Sequence, residues 1–350
     1  MSKLKLYKRL IIIAFAIVFL LSVKQSYAVL TLKPEVELLF LDGVVLAFHD
    51  QFYEAQSKFD SVCTLDKVSP IGHFCKAFVY DLFMDEYRSL KFMKEFEDEV
   101  AVAIKLGEEQ VSAGVQTPET FLFVGGVYGI RGVRKAMLGD WWGAFKDALK
   151  GISHIMKSVD MDSTLFDSYY GIGTYNYWKS VRTKELWWLP FISDKREQGI
   201  QELYLAIGKG KFVPLASRSA LLRIYVEEKR YEDCIKIADE LLKEYNFDLH
   251  PLWFKGYSLI KLKQWKEANE IYREAFKLLT SKDFHGPAGK VESWYYQALC
   301  SYNLGDTEHA KTILSQVFPL RGQINEKIFF YENIFDEAEK LQKEITGKKQ

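Results

Sequence analysis

An all-α solenoid of stacked antiparallel helix pairs is the fold this sequence predicts, and three observations predict it. Apolar residues recur at steps of three and four along most of the chain, the spacing of one helical face. Proline is scarce, with eight in 350 residues. One pattern of large and small residues returns at spacings of 34 and 42 residues, the mark of a repeated supersecondary unit.

The pattern is clearest near the C-terminus. In "PLWFKGYSLIKLKQWKEANEIYREAF" a large residue, Leu252, is followed four positions later by Gly256, twelve further on by Ala268, and then by Tyr272 and Ala275. "ESWYYQALCSYNLGDTEHAKTILSQV" repeats it with Trp294, Ala298, Ala310, Leu314 and Val317. The segment with Tyr225, Tyr231, Cys234, Ala238 and Leu241 fits the same frame, and Gly43, Ala55 and Phe59, then Gly132, Gly139, Trp141, Ala144 and Ala148, extend it toward the N-terminus. One such hairpin cannot bury its apolar face alone, so hairpins stack and share a core.

These motifs resemble the tetratricopeptide repeat. The stretches "FLFVGGVYGIRGVRKAMLGDWWGAF" and "DSYYGIGTYNYW" are also similar to a group of uncharacterised bacterial envelope proteins of that family, over roughly residues 118–245. The resemblance implies a right-handed superhelical solenoid of about seven pairs plus a C-terminal capping helix, and a role in protein interaction without catalytic residues. The Asp-Pro that commonly follows the second helix is missing here, which blurs the repeat boundaries.

Domain organisation follows from the same reading. Residues 1–28 form an expected secretory signal peptide: Lys3, Lys5, Lys8 and Arg9 precede a 14-residue apolar run from Leu10 to Val23, and Ser26-Tyr27-Ala28 offers a small-residue cleavage site. The run is shorter than the roughly 20 residues a spanning helix needs, so an uncleaved anchor is the lesser reading and export, periplasmic or secreted, the expected localisation. Residues 29–34 are a short linker, 35–182 divergent helix pairs, 183–193 an insertion, 194–345 the C-terminal array with its capping helix, and 346–350 a tail. The insertion is placed by spacing: Gly173 and Gly199, the small residues of one pair, stand 26 apart where the best repeats show 12.

Cleavage after Ala28 would remove five basic residues and no acidic ones, leaving 42 against 47, a charge of −5. Such a chain lacks the basic footprint of a nucleic-acid binder. Gly125, Gly126, Gly129 and Gly132 do not form a phosphate loop, because Val133 stands where the P-loop lysine is required. Gly125, Gly129, Gly132 and Ala136 share one helical face, suited to close contact with a neighbour.

The six histidines, His49, His73, His154, His250, His285 and His309, show no i, i+4 pair. His73 with Cys63 and Cys75 supplies three ligands where a structural zinc site normally closes with four, so neither metal nor cofactor is expected. No nucleophile elbow or comparable motif is present, and the expectation is a non-enzyme. Cys63 and Cys75 flank the turn at Pro70; an oxidising compartment allows a disulfide between them, although spacing alone does not set the Cα separation a bridge demands. Cys234 and Cys300 sit inside helical patterns as small packing residues.

In the family the first helix of each pair lines the concave surface. That resemblance puts Phe40, Tyr170, Tyr177, Trp253, Tyr257, Tyr295 and Tyr302 in an aromatic groove, and aromatics are enriched at interfaces. The alternative is that these rings fill the core between repeats. The insertion's Trp187, Trp188, Phe191 and Ile192 have three open fates: folding back into the array, contacting a partner, or dipping into a membrane interface. The function expected is therefore an exported scaffold that holds a segment of another envelope protein in the groove, with no nucleic acid and at most peripheral membrane contact. The alternative is a carrier of a small apolar molecule or lipid in a pocket beneath the insertion.

Overall fold

The computed structural model describes residues 32–183, 193–244, 249–281, 286–329 and 332–347. Among these are fifteen α-helices and no strand. They fall into seven antiparallel pairs: α1 (Pro34–Phe48) with α2 (Phe52–Leu65), α3 (Ile71–Glu86) with α4 (Met93–Ser112), α5 (Pro118–Met137) with α6 (Trp141–Met161), and α7 (Ser168–Arg182) with α8 (Arg196–Lys209). The series continues with α9 (Pro214–Glu227) and α10 (Tyr231–Glu244), α11 (Leu249–Lys261) and α12 (Trp265–Thr280), and α13 (Pro287–Asn303) and α14 (Thr307–Leu314), before α15 (Ile334–Gly347) closes the array.

The helices start where the sequence supplies caps. Pro34, Pro118, Pro214 and Pro287 stand in first turns, where a missing N–H costs nothing. Thr117, Asp140 and Asp306 accept the amides of Thr120, Gly143 and His309 at the starts of α5, α6 and α14.

Six of the seven pairs share one turn. Two residues past the first helix, a left-handed residue reverses the chain: Asp50, Arg88, Gly139, Lys229, Lys263 and Gly305. The following amide donates to the carbonyl five residues back (51 to 46, 89 to 84, 140 to 135, 230 to 225, 264 to 259, 306 to 301) at 2.8 to 3.2 Å, the Schellman closure. The exception is the fourth pair, whose helices end at Arg182 and resume at Arg196.

Small residues mark where the paired helices cross. A Cβ on Gly173 would stand 2.6 Å from the carbonyl oxygen of Gly199, and one on Gly199 equally close to that of Gly173. The α7–α8 crossing therefore lies at the two glycines that the sequence frame aligns, with the extra chain between them. In the third pair Gly125 lies against Gly151 and Ile155 of α6, and Gly132 against Ala144 and Ala148. The glycine face of α5 is a helix seam.

The array curls far enough for distant first helices to meet. Trp253 of α11 donates its indole N–H to the Glu86 carbonyl at the end of α3, 2.9 Å away. Arg88 donates to Glu292 of α13 at 2.8 Å, and Arg223 of α9 to Asp85 at 3.2 Å. Phe40 of α1 packs edge-on to Phe212, centroids 4.7 Å apart, in the loop entering α9. Asp167 fixes that loop by accepting the amides of Lys211, Phe212 and Val213 at 2.7 to 3.1 Å.

Candidate functional site

The concave lane predicted from the aromatics is filled by the protein itself. Phe40, Tyr177, Trp253, Tyr257 and Tyr295 are all buried, and Tyr170 and Tyr302 are half-buried. Phe40 lies among Phe59, Phe123 and Phe212. Tyr177 donates its hydroxyl to Glu228 at 2.9 Å. Trp253 sits under the Arg88 guanidinium, 5.0 Å from its centroid. Burial pushes the Tyr170 and Tyr257 phenols up to about 12, and raises Tyr295 as well. Five of the seven are core rather than open groove, and for two of them the reason is curvature: Phe40 meets Phe212 and Trp253 meets the Glu86 carbonyl, inward-facing positions of pairs far apart in sequence.

The centre of that axis is ionic. Arg134 of α5, 2 % exposed, donates to Asp81 and Asp85 of α3, each at 2.8 Å, and Arg223 reaches Asp85 from α9. Burial works against the charge of Asp85, but Arg134 and Arg223 outweigh it and hold the carboxyl below its ordinary value. His250 of α11 stands beside them; burial drives its imidazole down to about 4. Burial pushes the Asp81 carboxyl up to about 6 despite Arg134, and charges paired in this way hold the helices in one arrangement.

Among the described residues, exposed apolar side chains follow one another at helical spacing on α6. Its inner face is fixed to α5. Asp147 accepts from Arg131 at 2.6 and 2.7 Å and from Lys135 at 2.8 Å, and the His154 ring stacks on Tyr128, whose hydroxyl donates to Glu108 at 2.8 Å. Its outer face carries a second apolar stripe: Trp142 (68 % exposed), Phe145 (52 %), Leu149 (44 %) and Met156 (43 %), with half-buried Ile152 and Val159 continuing it at steps of three and four. Trp142 and Phe145 stack at 5.8 Å, and Trp141, 54 % exposed, lies under Arg182 at 4.5 Å. Six positions at 3.5-residue spacing on one helix match the face a partner helix covers in a coiled coil.

Trp187, Trp188 and Phe191 lie outside the described residues, as does the expected signal peptide. Cys63 and Cys75 are free thiols, the first half-buried and the second buried. Among the described residues no three His, Cys, Asp or Glu side chains are placed to hold a metal ion, and no helix is long and apolar enough to cross a membrane. A depression of 420 Å³ at the turns of the fifth and sixth pairs is lined by Val226, Glu227, Lys229, Tyr231, Tyr257 and Lys261. Three charged side chains in six suit it poorly to an apolar molecule.

Comparison with known proteins places the fold. Residues 292–319, from within α13 through α14, match the tetratricopeptide repeat. That segment is a tetratricopeptide repeat. The described helices build a tetratricopeptide solenoid, and its backbone is similar to a chain of the APC/C hetero-tetramer Cut9–Hcn1, with TM-score 0.55 and 12% identity over 89% of this chain. The match spans 52% of that longer chain. The C-terminal part of a tetratricopeptide repeat-containing protein from Cytophaga hutchinsonii aligns over 83% of this chain and 98% of its own, at 17% identity and TM-score 0.44. A tetratricopeptide repeat protein from Parabacteroides merdae covers 88% of this chain and 99% of its own, at 10% identity and TM-score 0.39. At such identities the likeness is one of fold. No curated protein matches the chain by sequence.

Proposed function

We propose that this tetratricopeptide solenoid is a non-enzymatic, exported interaction scaffold whose binding face is the outer stripe of α6. The observation that carries this reading is the exposure of Trp142, Phe145, Leu149 and Met156 in register on a helix whose other face is already packed on α5. Large exposed apolar patches on a folded chain mark interaction surfaces, and Trp and Phe are the anchors on which such surfaces concentrate their energy. The partner suited to it is a protein segment that forms an amphipathic helix, its apolar face covering the stripe and its acidic residues meeting Lys146 and Lys157 along one edge. The stiff array supports this, since a preformed face avoids the ordering cost a flexible one would meet.

The test is a photo-crosslinking residue at position 145 in the full chain, expressed in its own cell, with the same residue at exposed Tyr53 on α2 as control. The reading expects one protein to be captured from position 145 and not from position 53, and the mature chain recovered from the exported fraction with Val29 as its first residue. Equal capture from both positions would remove α6 as the binding face. An uncleaved chain in the cytoplasm would remove the exported setting.

A further inference from the structure

A second constellation lies between the first two pairs, away from α6. Cys63, near the end of α2, packs on Gly72 in the first turn of α3: a Cβ on that glycine would stand 2.5 Å from the Cys63 sulfur and 2.9 Å from its amide nitrogen. Cys75 is one turn further along α3, three residues from Gly72, and therefore on the same face as the contact. His73, next to Gly72, is bound through Nδ1 to Glu99 of α4 at 2.6 Å. The other oxygen of Glu99 is held by Lys76 at 2.6 Å, so the carboxylate and the ring it orients are fixed.

The four cysteines are not equivalent. Cys75, Cys234 and Cys300 are buried, and burial pushes all three thiols up, the last two to about 12; of the three only Cys75 lies beside Cys63. Cys63 alone is half-buried. It also adjoins a histidine: the Cys63 thiol and then the Glu99 carboxylate push the His73 imidazole up to about 9, which makes it a cation at neutral pH. A partly exposed thiol beside a histidinium and the first turn of a helix is the setting in which cysteines exchange with disulfides.

We propose that Cys63 and Cys75 form a redox-active dithiol, in which Cys63 exchanges with a low-molecular-weight disulfide, Cys75 resolves the mixed disulfide, and His73, held by Glu99, moves the proton. The thiol of Cys63 gives its proton to water, and the thiolate attacks one sulfur of the small disulfide, breaking its S–S bond. His73 protonates the departing thiolate. Cys75 then attacks the Cys63 sulfur, its proton returning to His73, and the second small thiolate leaves and takes a proton from water. Two protein thiols and one small disulfide become one protein disulfide and two small thiols, a two-electron oxidation of the chain.

The probe is oxidised glutathione, added to the reduced full chain, with products mapped by mass spectrometry of peptides. The proposal expects a Cys63–Cys75 bridge that excess reduced glutathione reopens while the chain stays folded by circular dichroism, with Cys234 and Cys300 still free. In Cys75→Ala, glutathione should accumulate on Cys63 alone. In His73→Gln that mixed disulfide should form about tenfold more slowly. Absence of a bridge in the native chain, a bridge that yields only on unfolding, or equal reaction at Cys234 and Cys300 would overturn the dithiol, and an unchanged rate in His73→Gln would overturn the part given to the histidine. None of these outcomes depends on the α6 stripe.

Discussion

Helices α6 and α12 occupy the same place in their pairs and present opposite outer faces. Both are second helices, both bury a stripe of small and large residues against the helix before them, and both follow a left-handed turn. Counted from Ala268 as α6 is from Ala144, the matching positions of α12 carry Lys266, Asn269, Arg273 and Thr280. On α6 the equivalent side carries Trp142, Phe145, Leu149 and Met156. The α12 arrangement is what a solenoid needs for its own stability; that of α6 exceeds the need, because a stripe left in water contributes nothing to the fold. The difference separates what holds this array together from what it offers to another molecule.

The largest effect that would break the comparison lies in the inner seam. Gly125→Leu places a side chain against the Gly151 carbonyl oxygen, which a Cβ alone would meet at 2.8 Å, and is expected to cost about 3 kcal/mol in chemical denaturation as α6 is forced off α5. A smaller effect is expected at the turns. Gly139, with φ of 88°, admits a side chain only with strain, so Gly139→Ala should destabilise by about 1 kcal/mol. Lys263 already holds φ of 58° at the corresponding turn before α12, and Lys263→Gly should leave stability at the native value or raise it by up to about 1 kcal/mol. A loss at Lys263 equal to that at Gly139 would contradict the shared turn.

The smallest effect is one of pH. Burial lowers the His154 imidazole below 6.5, against the pull of Glu108, while α12 contains no histidine. As pH falls below about 6.5 the unfolded chain takes up this proton before the folded one, so the α5–α6 seam loses stability with acidification. His154→Phe should flatten that part of the stability–pH curve between pH 6.5 and 5; an unchanged curve would show that His154 is not the group responsible.

Helix positions and crossings were legible because they depend on neighbours in sequence. Gly173 and Gly199, or Gly256 opposite Tyr272, are small where backbones approach, and that requirement is local to one pair. The fate of the inward aromatics was not. Whether Trp253 lines a groove or caps the Glu86 carbonyl depends on the curl of the whole array, across 167 residues that no local pattern reports. The stripe on α6 did leave a signal: "WWGAFKDALKGISHIMKSV" is apolar at 144, 148, 151 and 155 and again at 142, 145, 149, 152 and 156, two faces where a surface helix needs one. Reading Trp141, Ala144 and Ala148 only as markers of the repeat obscured the second.

The most direct test sets the two faces against each other. Trp142→Ser, Phe145→Ser and Leu149→Ser together on α6, and Lys266→Ser, Asn269→Ser and Arg273→Ser together on α12, would be made in the full chain, and the affinity of each form for the protein crosslinked from position 145 measured beside its thermal unfolding. The account predicts that the α6 variant unfolds at the native temperature or slightly above it and binds at least about thirtyfold more weakly, the loss of about 2 kcal/mol that a central aromatic anchor contributes, while the α12 variant binds as the native chain does. Native binding by the α6 variant, or equal loss in both, would contradict it.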